Sequence, residues 1–287
     1  MKPFGYDNRF MNAVLTLRKA EMMARKMKAS LYLGFSGGKD SQVIFHLAKS
    51  LGIPFIPHHL LTTVEPPEVI RFIKSRYPEV RTIRQPLSMG QLIIKRKTLP
   101  TRFARFCCSY FKELKYPQSV VITGVRHEES TRRAARQAVE IGSREKDRRE
   151  SFSLADVYDK GEQVIVDCLH GSDQLIINPI IDWTEKDVQY FLREVIGVPM
   201  CELYSLGFKR VGCICCPLKG YKEVCKDVVR YPKYVDMYIR TIHRLRANSN
   251  FFSDHPELSD QQIFDWWIKD VPLQKWMADN VQQLSLF

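Results

Sequence analysis

Ser36-Gly37-Gly38-Lys39-Asp40-Ser41 gathers two glycines, two hydroxyls, an ammonium and a carboxylate into six consecutive positions. The apolar run Leu31-Tyr32-Leu33-Gly34-Phe35 precedes it, and Gln42-Val43-Ile44-Phe45-His46-Leu47-Ala48 follows with helical spacing. The loop therefore falls between the end of a buried strand and the start of a helix. Glycine takes positive φ at little cost and lets backbone approach an anion closely. N–H groups at a helix start, aided by the helix dipole, favour phosphate. Ser36 and Ser41 add hydroxyl donors, and Lys39 adds a point charge. The run lacks the Gly-x-x-x-x-Gly-Lys-Ser/Thr spacing of a Walker loop. A ligand-free strand-to-helix turn is the plainer alternative, but six such residues in this setting favour a phosphate site. Asp40 either helps place Mg²⁺ or caps the helix.

The eight cysteines carry a second pattern. Cys107 and Cys108 are adjacent, and two residues separate Cys213 from Cys216. A Cys-x-x-Cys pair can present both thiolates to one metal or cluster edge. Adjacent cysteines serve a single ion awkwardly, because their side chains diverge, whereas a cluster with separate iron corners tolerates them better. The spacing favours a 4Fe–4S cluster on Cys107, Cys108, Cys213 and Cys216, with zinc and no metal as the alternatives. Cys168, Cys201, Cys215 and Cys225 read as small buried residues. Cys215 and Cys225, near the second pair, are alternatives for carrying transferred sulfur.

The elements that must position these groups alternate. Asn8 to Lys28 reads as an amphipathic helix, with Phe10, Val14, Leu17 and Met22 at helical intervals. Strands are expected at 30–35, Ile53–Leu61, Val80–Gln85 and Ser119–Gly124, with helices at Pro67–Arg76 and Gly90–Lys97 between them. Gln163–Asp167 and Gln174–Ile180 read as a pair of strands around Leu169-His170-Gly171-Ser172, and 142–152 as a charged loop. Thr184 to Asp187 is a capping box flanked by Trp183 and Val188 as a hydrophobic staple, and its helix should stop before Gly197. Beyond Cys216 the chain reads as helical, and its many aromatics read first as packing. This order predicts an α/β, doubly wound, mostly parallel five-stranded sheet of Rossmann-like type with a helical C-terminal region. The expected division is a domain over 1–220, with an N-terminal helix at 1–28 and a core at 28–220, and a helical region over 221–287. Ligands of such sheets bind at the carboxyl ends of the strands.

Composition bounds the rest. Of 287 residues, 45% are hydrophobic and 26% charged, which describes an ordinary globular chain. No apolar run approaches membrane-spanning length. The start has no signal-peptide core, so a cytoplasmic location and reduced thiols are expected. The net charge of +12 points to an anionic partner. It concentrates at Lys95, Arg96, Lys97, Arg102 and Arg105, and again across Arg126, Arg132, Arg133, Arg136, Arg144, Lys146, Arg148 and Arg149.

Further segments extend the pattern. Thr62-Thr63-Val64-Glu65-Pro66-Pro67-Glu68, Gly124-Val125-Arg126-His127-Glu128-Glu129-Ser130-Thr131-Arg132-Arg133 and Asn178 to Val188 occur in order. Leu203-Tyr204, Gly207-Phe208 and Arg210-Val211-Gly212-Cys213 lead to the second cysteine pair. Over roughly 28–220 the chain resembles the phosphoadenosine-phosphosulfate (PAPS) reductase family of PP-loop proteins. The 36–41 loop resembles the PP-loop of ATP pyrophosphatases, which holds the β,γ-pyrophosphate of ATP. The cysteine arrangement resembles the 4Fe–4S site of sulfonucleotide reductases.

The resemblance implies Lys39, Asp40 and Ser41 as catalytic residues. It implies nucleotide contacts from Gly34 to Ser41 (Gly34, Phe35, Ser36, Gly37, Gly38), from Thr62, Thr63 and Glu65, and from Gly124 and Arg126. Arg126, Glu129, Ser130 and Arg133 would hold substrate, the arginines through planar donor forks. Two features depart from the sulfonucleotide reductases. Their C-terminal Glu-Cys-Gly-Ile/Leu-His segment has no counterpart here, and their degenerate PP-loop is intact in this chain. The implied activity is an ATP pyrophosphatase that adenylates an acceptor, coupled to cluster-dependent sulfur transfer. This resembles the sulfur-transfer protein of DNA phosphorothioation and iron–sulfur tRNA thiolation enzymes. ATP, Mg²⁺, DNA or tRNA, and a sulfur donor such as a cysteine desulfurase are the implied partners, and a homodimer is compatible. A thiol-dependent PAPS or APS reductase and a non-catalytic redox regulator are the alternatives.

Overall fold

The computed structural model describes residues 1–112, 119–143, 145, 149–171 and 173–284. In chain order its elements are α1 (Tyr6–Lys26), β1 (Leu31–Gly34), α2 (Lys39–Ser50), β2 (Ile56–Leu61), α3 (Pro67–Arg76), β3 (Arg81–Arg84), α4 (Met89–Arg96) and α5 (Phe106–Phe111). There follow β4 (Val120–Ile122), α6 (Thr131–Ala134), β5 (Val139–Gly142), β6 (Ser151–Phe152), α7 (Leu154–Lys160), α8 (Glu162–Asp167), β7 (Gln174–Ile177) and α9 (Glu185–Tyr190). The last four are α10 (Tyr221–Arg230), α11 (Pro232–Ala247), α12 (Asp260–Lys269) and α13 (Leu273–Leu284).

Two compact units result, and they interleave in sequence. The first holds Met1–Leu60, Pro67–Ile83 and Leu114–Val211; the second holds Leu61–Pro66, Arg84–Glu113 and Gly212–Phe287. The second unit joins two upstream segments to the C-terminal helices.

The first unit is a seven-stranded sheet in the order β3-β2-β1-β4-β7-β5-β6. Strand β1 pairs in parallel with β2 and β4, and β4 with β7, while β5 runs antiparallel to β7 and β6. The α/β class and mostly parallel sheet agree with the sequence; the count of five strands is corrected to seven. Residues 139–142 and 151–152 add the antiparallel edge, at the start and the end of the 142–152 segment expected to be a charged loop. Residues 144 and 146–148 of that loop, and Ser172, lie outside the described residues. A second correction concerns Gln163–Asp167, which is helical as α8 rather than a strand. Its Ile165 is buried, and Glu162 pairs with Lys19 of α1, so tertiary packing overrides β-branched propensity there.

Register explains the core. Leu33 aligns with Ile122, Ile122 with Ile177, and Ile177 with Val139, so fully buried aliphatic residues form one continuous row across four strands. Against the sheet, α1 buries Ala13, Leu17, Ala20 and Met23. Tyr6 and Phe10 of α1 meet Trp183, Tyr190 and Phe191 in an aromatic cluster. The capping box forms as read, with Thr184 and Asp187 bonding reciprocally. The helix continues through a wider turn at Phe191–Ile196 and ends on Gly197 at φ 71°.

The second unit packs α4, α5 and α10–α13 around Ile93, Phe111, Ile214, Ile242 and Phe264. Tyr231, Tyr238, Trp267 and Trp276 are buried in it, as their helical spacing indicated. No helix among the described residues is long and apolar enough to cross a membrane.

Candidate functional site

Strand β1 has neighbours β2 and β4 on opposite sides, and the chain order reverses between β1 and β4. Such a switch point leaves a crevice at the carboxyl ends of the strands. The 36–41 loop lies there. Gly37 takes φ 74°, and a Cβ on it would lie 2.9 Å from Val69 Cγ1, so this turn requires glycine. Gly38 begins α2 without a side-chain cap. The loop's own hydroxyls knit it together: Ser41 Oγ donates to Gly38 O at 2.7 Å and accepts from Ser36 N at 3.2 Å. The Lys39 N–H donates to the Tyr204 hydroxyl at 3.0 Å.

The turn after β4 closes the other side of the crevice. A Cβ on Gly124 would lie 2.9 Å from the Asp40 carbonyl carbon, so only glycine lets the two loops approach this closely. Two residues later, Arg126 is buried and its guanidinium holds three carboxylates. Nε donates to Asp40 at 2.6 Å, Nη1 to Glu128 at 2.9 Å and Nη2 to Glu185 at 3.0 Å. The Lys39 ammonium lies 3.3 Å from Glu185 and 3.8 Å from Asp40. Burial pushes the Asp40 carboxyl above its ordinary pKa, against the pull of Lys39 and Arg126. Arg126 is thus a buried hub rather than a surface ion pair. Glu129 accepts the Arg126 backbone N–H at 3.0 Å and pairs with Arg133. Ser130 caps α6 by accepting from Arg133 N.

Thr62, Thr63, Glu65 and the four proposed ligand cysteines belong to the second unit. Thr62 N–H donates to Glu65 at 2.6 Å, and its hydroxyl lies 3.4 Å from Cys213 Sγ. The Ile214 N–H donates to Val64 O at 2.8 Å, which ties this segment to the Cys213–Cys216 turn. Cys215 sits in that turn at φ 53°. Asp227 fixes it by accepting from Cys215 N at 2.8 Å and from Lys219 Nζ at 2.6 Å. Burial, with the Asp227 charge, pushes the Cys215 thiol up to about 12.

Cys107, Cys108, Cys213 and Cys216 share one electrostatic neighbourhood. A hydrogen bond with Cys107, helped by Arg105 and Lys112, holds the Cys108 thiol below its ordinary pKa against burial. The same bond, with burial, raises Cys107. Cys213, followed by Cys216 and Cys108, raises the Lys112 pKa. Among the described residues, no group of three or more His, Cys, Asp or Glu side chains is arranged to hold a single metal ion.

Residues 30–219 match the phosphoadenosine phosphosulfate reductase domain. The chain belongs to that family. As a PAPS reductase family protein it carries a nucleotide-binding domain of the PP-loop superfamily. Two uncharacterized proteins of Methanocaldococcus jannaschii are similar to it. One is 26% identical over 243 residues, covering 79% of this chain and 51% of its own length. The other is 26% identical over 238 residues, covering 78% and 44%. The chain spans about half the length of these curated relatives. Among solved structures, a PAPS reductase from Candida auris in a phosphate complex matches with TM-score 0.43 and 17% identity, over 68% of this chain and 87% of that one. FMN adenylyltransferase of Candida glabrata in complex with ATP matches with TM-score 0.42 and 15% identity, over 74% and 64%.

In this family member the loop residues Ser36 to Ser41, Gly124 and Arg126 come together in the first unit. Sequence reasoning did not assign Glu128, Glu185 and Tyr204 to the site. Glu185 and Tyr204 were visible only as members of a capping segment and of the approach to Cys213. Their placement beside Lys39 depends on how α9 and the 202–204 turn fold back over the crevice.

Proposed function

We propose that this chain cleaves ATP between the α and β phosphates and so adenylates an oxygen of a nucleic-acid acceptor, DNA or tRNA, as the first half of a sulfur transfer. The observation that carries the reading is the Ser36–Ser41 turn at the switch point, with Gly37 in the left-handed region and the Lys39 ammonium beside Glu185 and Asp40. In the reaction the acceptor oxygen attacks the α-phosphorus. The bond from that phosphorus to the α–β bridging oxygen breaks, and its electron pair leaves with pyrophosphate. Such chemistry needs positioning and charge neutralisation more than a dedicated base.

The 36–41 backbone and hydroxyls would hold the β and γ phosphates, and Lys39 would neutralise them. The resting crevice holds two cations, Lys39 and Arg126, against three carboxylates. A triphosphate adds more negative charge; Mg²⁺ bound with it would neutralise that charge, and Asp40 would help to hold the ion. Gly34 and Phe35 would flank the adenosine. Arg133 and Ser130 would face the acceptor once Arg133 leaves Glu129.

Cys107, Cys108, Cys213 and Cys216 have the donor chemistry of a 4Fe–4S site: four thiols, one with a lowered pKa, beside the Lys112 and Arg105 cations. When bound, such a cluster would hold or deliver sulfur to the activated group, the sulfur itself coming from a donor such as a cysteine desulfurase. Incubation with ATP and Mg²⁺, with and without DNA or tRNA, tests the reading. AMP and pyrophosphate are the expected products. Sulfite formed from PAPS with a thiol donor, and no ATP cleavage, would instead make the chain a reductase.

A further inference from the structure

The second unit contains a half-open cleft of about 420 Å³ between α4 and α11, apart from its cysteines. One stripe of α11 forms a wall: Lys233, Met237, Thr241 and Arg244 follow one another at helical intervals of three or four residues. The facing wall is the first part of α4. The two helices approach closely because position 90 is glycine; a Cβ there would lie 2.9 Å from Thr241 Oγ1. Ile94 and Met237 contribute apolar surface to the lining, and Tyr234 adds an aromatic ring.

Charge is distributed at the two ends. Lys233 and Arg244 are exposed and eleven positions apart, about 16 Å along the helix at 1.5 Å per residue. Among the described residues, no acidic side chain pairs with either. Cations spaced this far apart suit a chain that carries a phosphate at every residue, with apolar, π-bearing units between them. A cleft of this size admits a base and its sugar and excludes a duplex. Single-stranded nucleic acid has this chemistry: a charged backbone tracked by cations, and flat bases that bed on apolar and aromatic groups.

We propose that this cleft binds single-stranded nucleic acid, bedding a base between Lys233 and Arg244, which hold non-adjacent phosphates of the strand. The inference rests on the nucleic-acid acceptor read above and adds where that acceptor is gripped. It is independent of the cysteines and of the phosphate loop.

The test is binding of fluorescein-labelled oligothymidylate and oligouridylate to the full chain, by anisotropy across a salt series. Single-strand affinity falls with salt by about 0.7 of a logarithmic unit per phosphate contact. The K233A/R244A protein should therefore bind more weakly, and its log–log salt slope should be shallower by about 1.4. K233R/R244K should keep the wild-type slope. K26A/K28A, which removes two exposed charges from the first unit, should leave it unchanged. Because Lys233 and Arg244 are exposed, the substitutions should leave the melting temperature intact. An unchanged affinity and slope in K233A/R244A, no oligonucleotide binding by wild type, or a duplex competing as well as the single strand would overturn the proposal. ATP cleavage on the same preparations separates the two readings. Binding lost only in K233A/R244A, without ATP cleavage, upholds the cleft and refutes the pyrophosphatase; ATP cleavage without binding does the reverse.

Discussion

Lys39 and Gly37 make the sharpest predictions at the level of single residues. Lys39 is the loop's one cation, and its ammonium is held by Glu185 and Asp40 in the resting site. Replacing it with alanine should lower kcat/KM for ATP by about 10²–10³, the cost of removing one preorganised charge-stabilising donor. Turnover assays on Lys39→Ala check this, and near-wild-type turnover would remove Lys39 from the mechanism. Gly37→Ala should destabilise the fold by about 1–3 kcal/mol, because a left-handed backbone disfavours Cβ and the methyl would press on Val69. Chemical denaturation measures that loss. The Ser36–Ser41 turn, Gly124 and Arg126, which the structure brings together, were legible from type and spacing. The carboxylates that hold them were not. Glu128 and Glu185 are ordinary acidic residues in sequence, and only their convergence on the buried Arg126 gives them a place in the site.

Among the elements, α9 and its cap anchor one side of the crevice. Asp187 is fully buried and binds Arg9 Nε at 2.7 Å as well as the Thr184 N–H and hydroxyl. Burial alone would raise its pKa. The bonds from Arg9 and Thr184, with the Arg9 charge, outweigh burial and hold it below the usual carboxylate range. A depressed folded pKa contributes stability that is complete above the unfolded value near 3.9 and is lost as pH falls through the folded one. Arg9→Met leaves a buried carboxylate without its cation and should cost about 3 kcal/mol at pH 7. The difference from wild type should shrink as pH drops below about 4. Melting curves of both proteins at pH 3 and pH 7 check the sign, and a gap that widens in acid would refute it. Long, strongly periodic elements such as α1 and capped ones such as α9 were readable in sequence. The short ones were not. Gln163-Val164-Ile165-Val166 has strand-like composition, yet it forms α8 because Ile165 buries as part of a helix lying on α1. Val139-Glu140-Ile141-Gly142 alternates correctly but spans only four residues beside a charged run, and its pairing with β7 is long-range information.

For the whole molecule, the residues proposed for phosphate and those proposed for the cluster fall in separate compact units. The first holds Ser36–Ser41, and the second holds Cys107, Cys108, Cys213, Cys216 and the α4–α11 cleft. Anaerobic purification should yield a brown protein with about four iron atoms per chain, and Cys108→Ser should lose most of that iron. Iron analysis decides it: a colourless wild type, or full iron in Cys108→Ser, refutes the four-ligand assignment. The account stands first on the turn after β1 gripping the terminal phosphates of a nucleotide. The most direct measurement is a crystal structure with Mg²⁺ and ATP bearing a methylene bridge between its α and β phosphates. The account predicts the β and γ phosphates against the backbone of Ser36–Ser41, with the Lys39 ammonium moved from Glu185 onto them. An analogue bound elsewhere, with no phosphate on that turn, would contradict it.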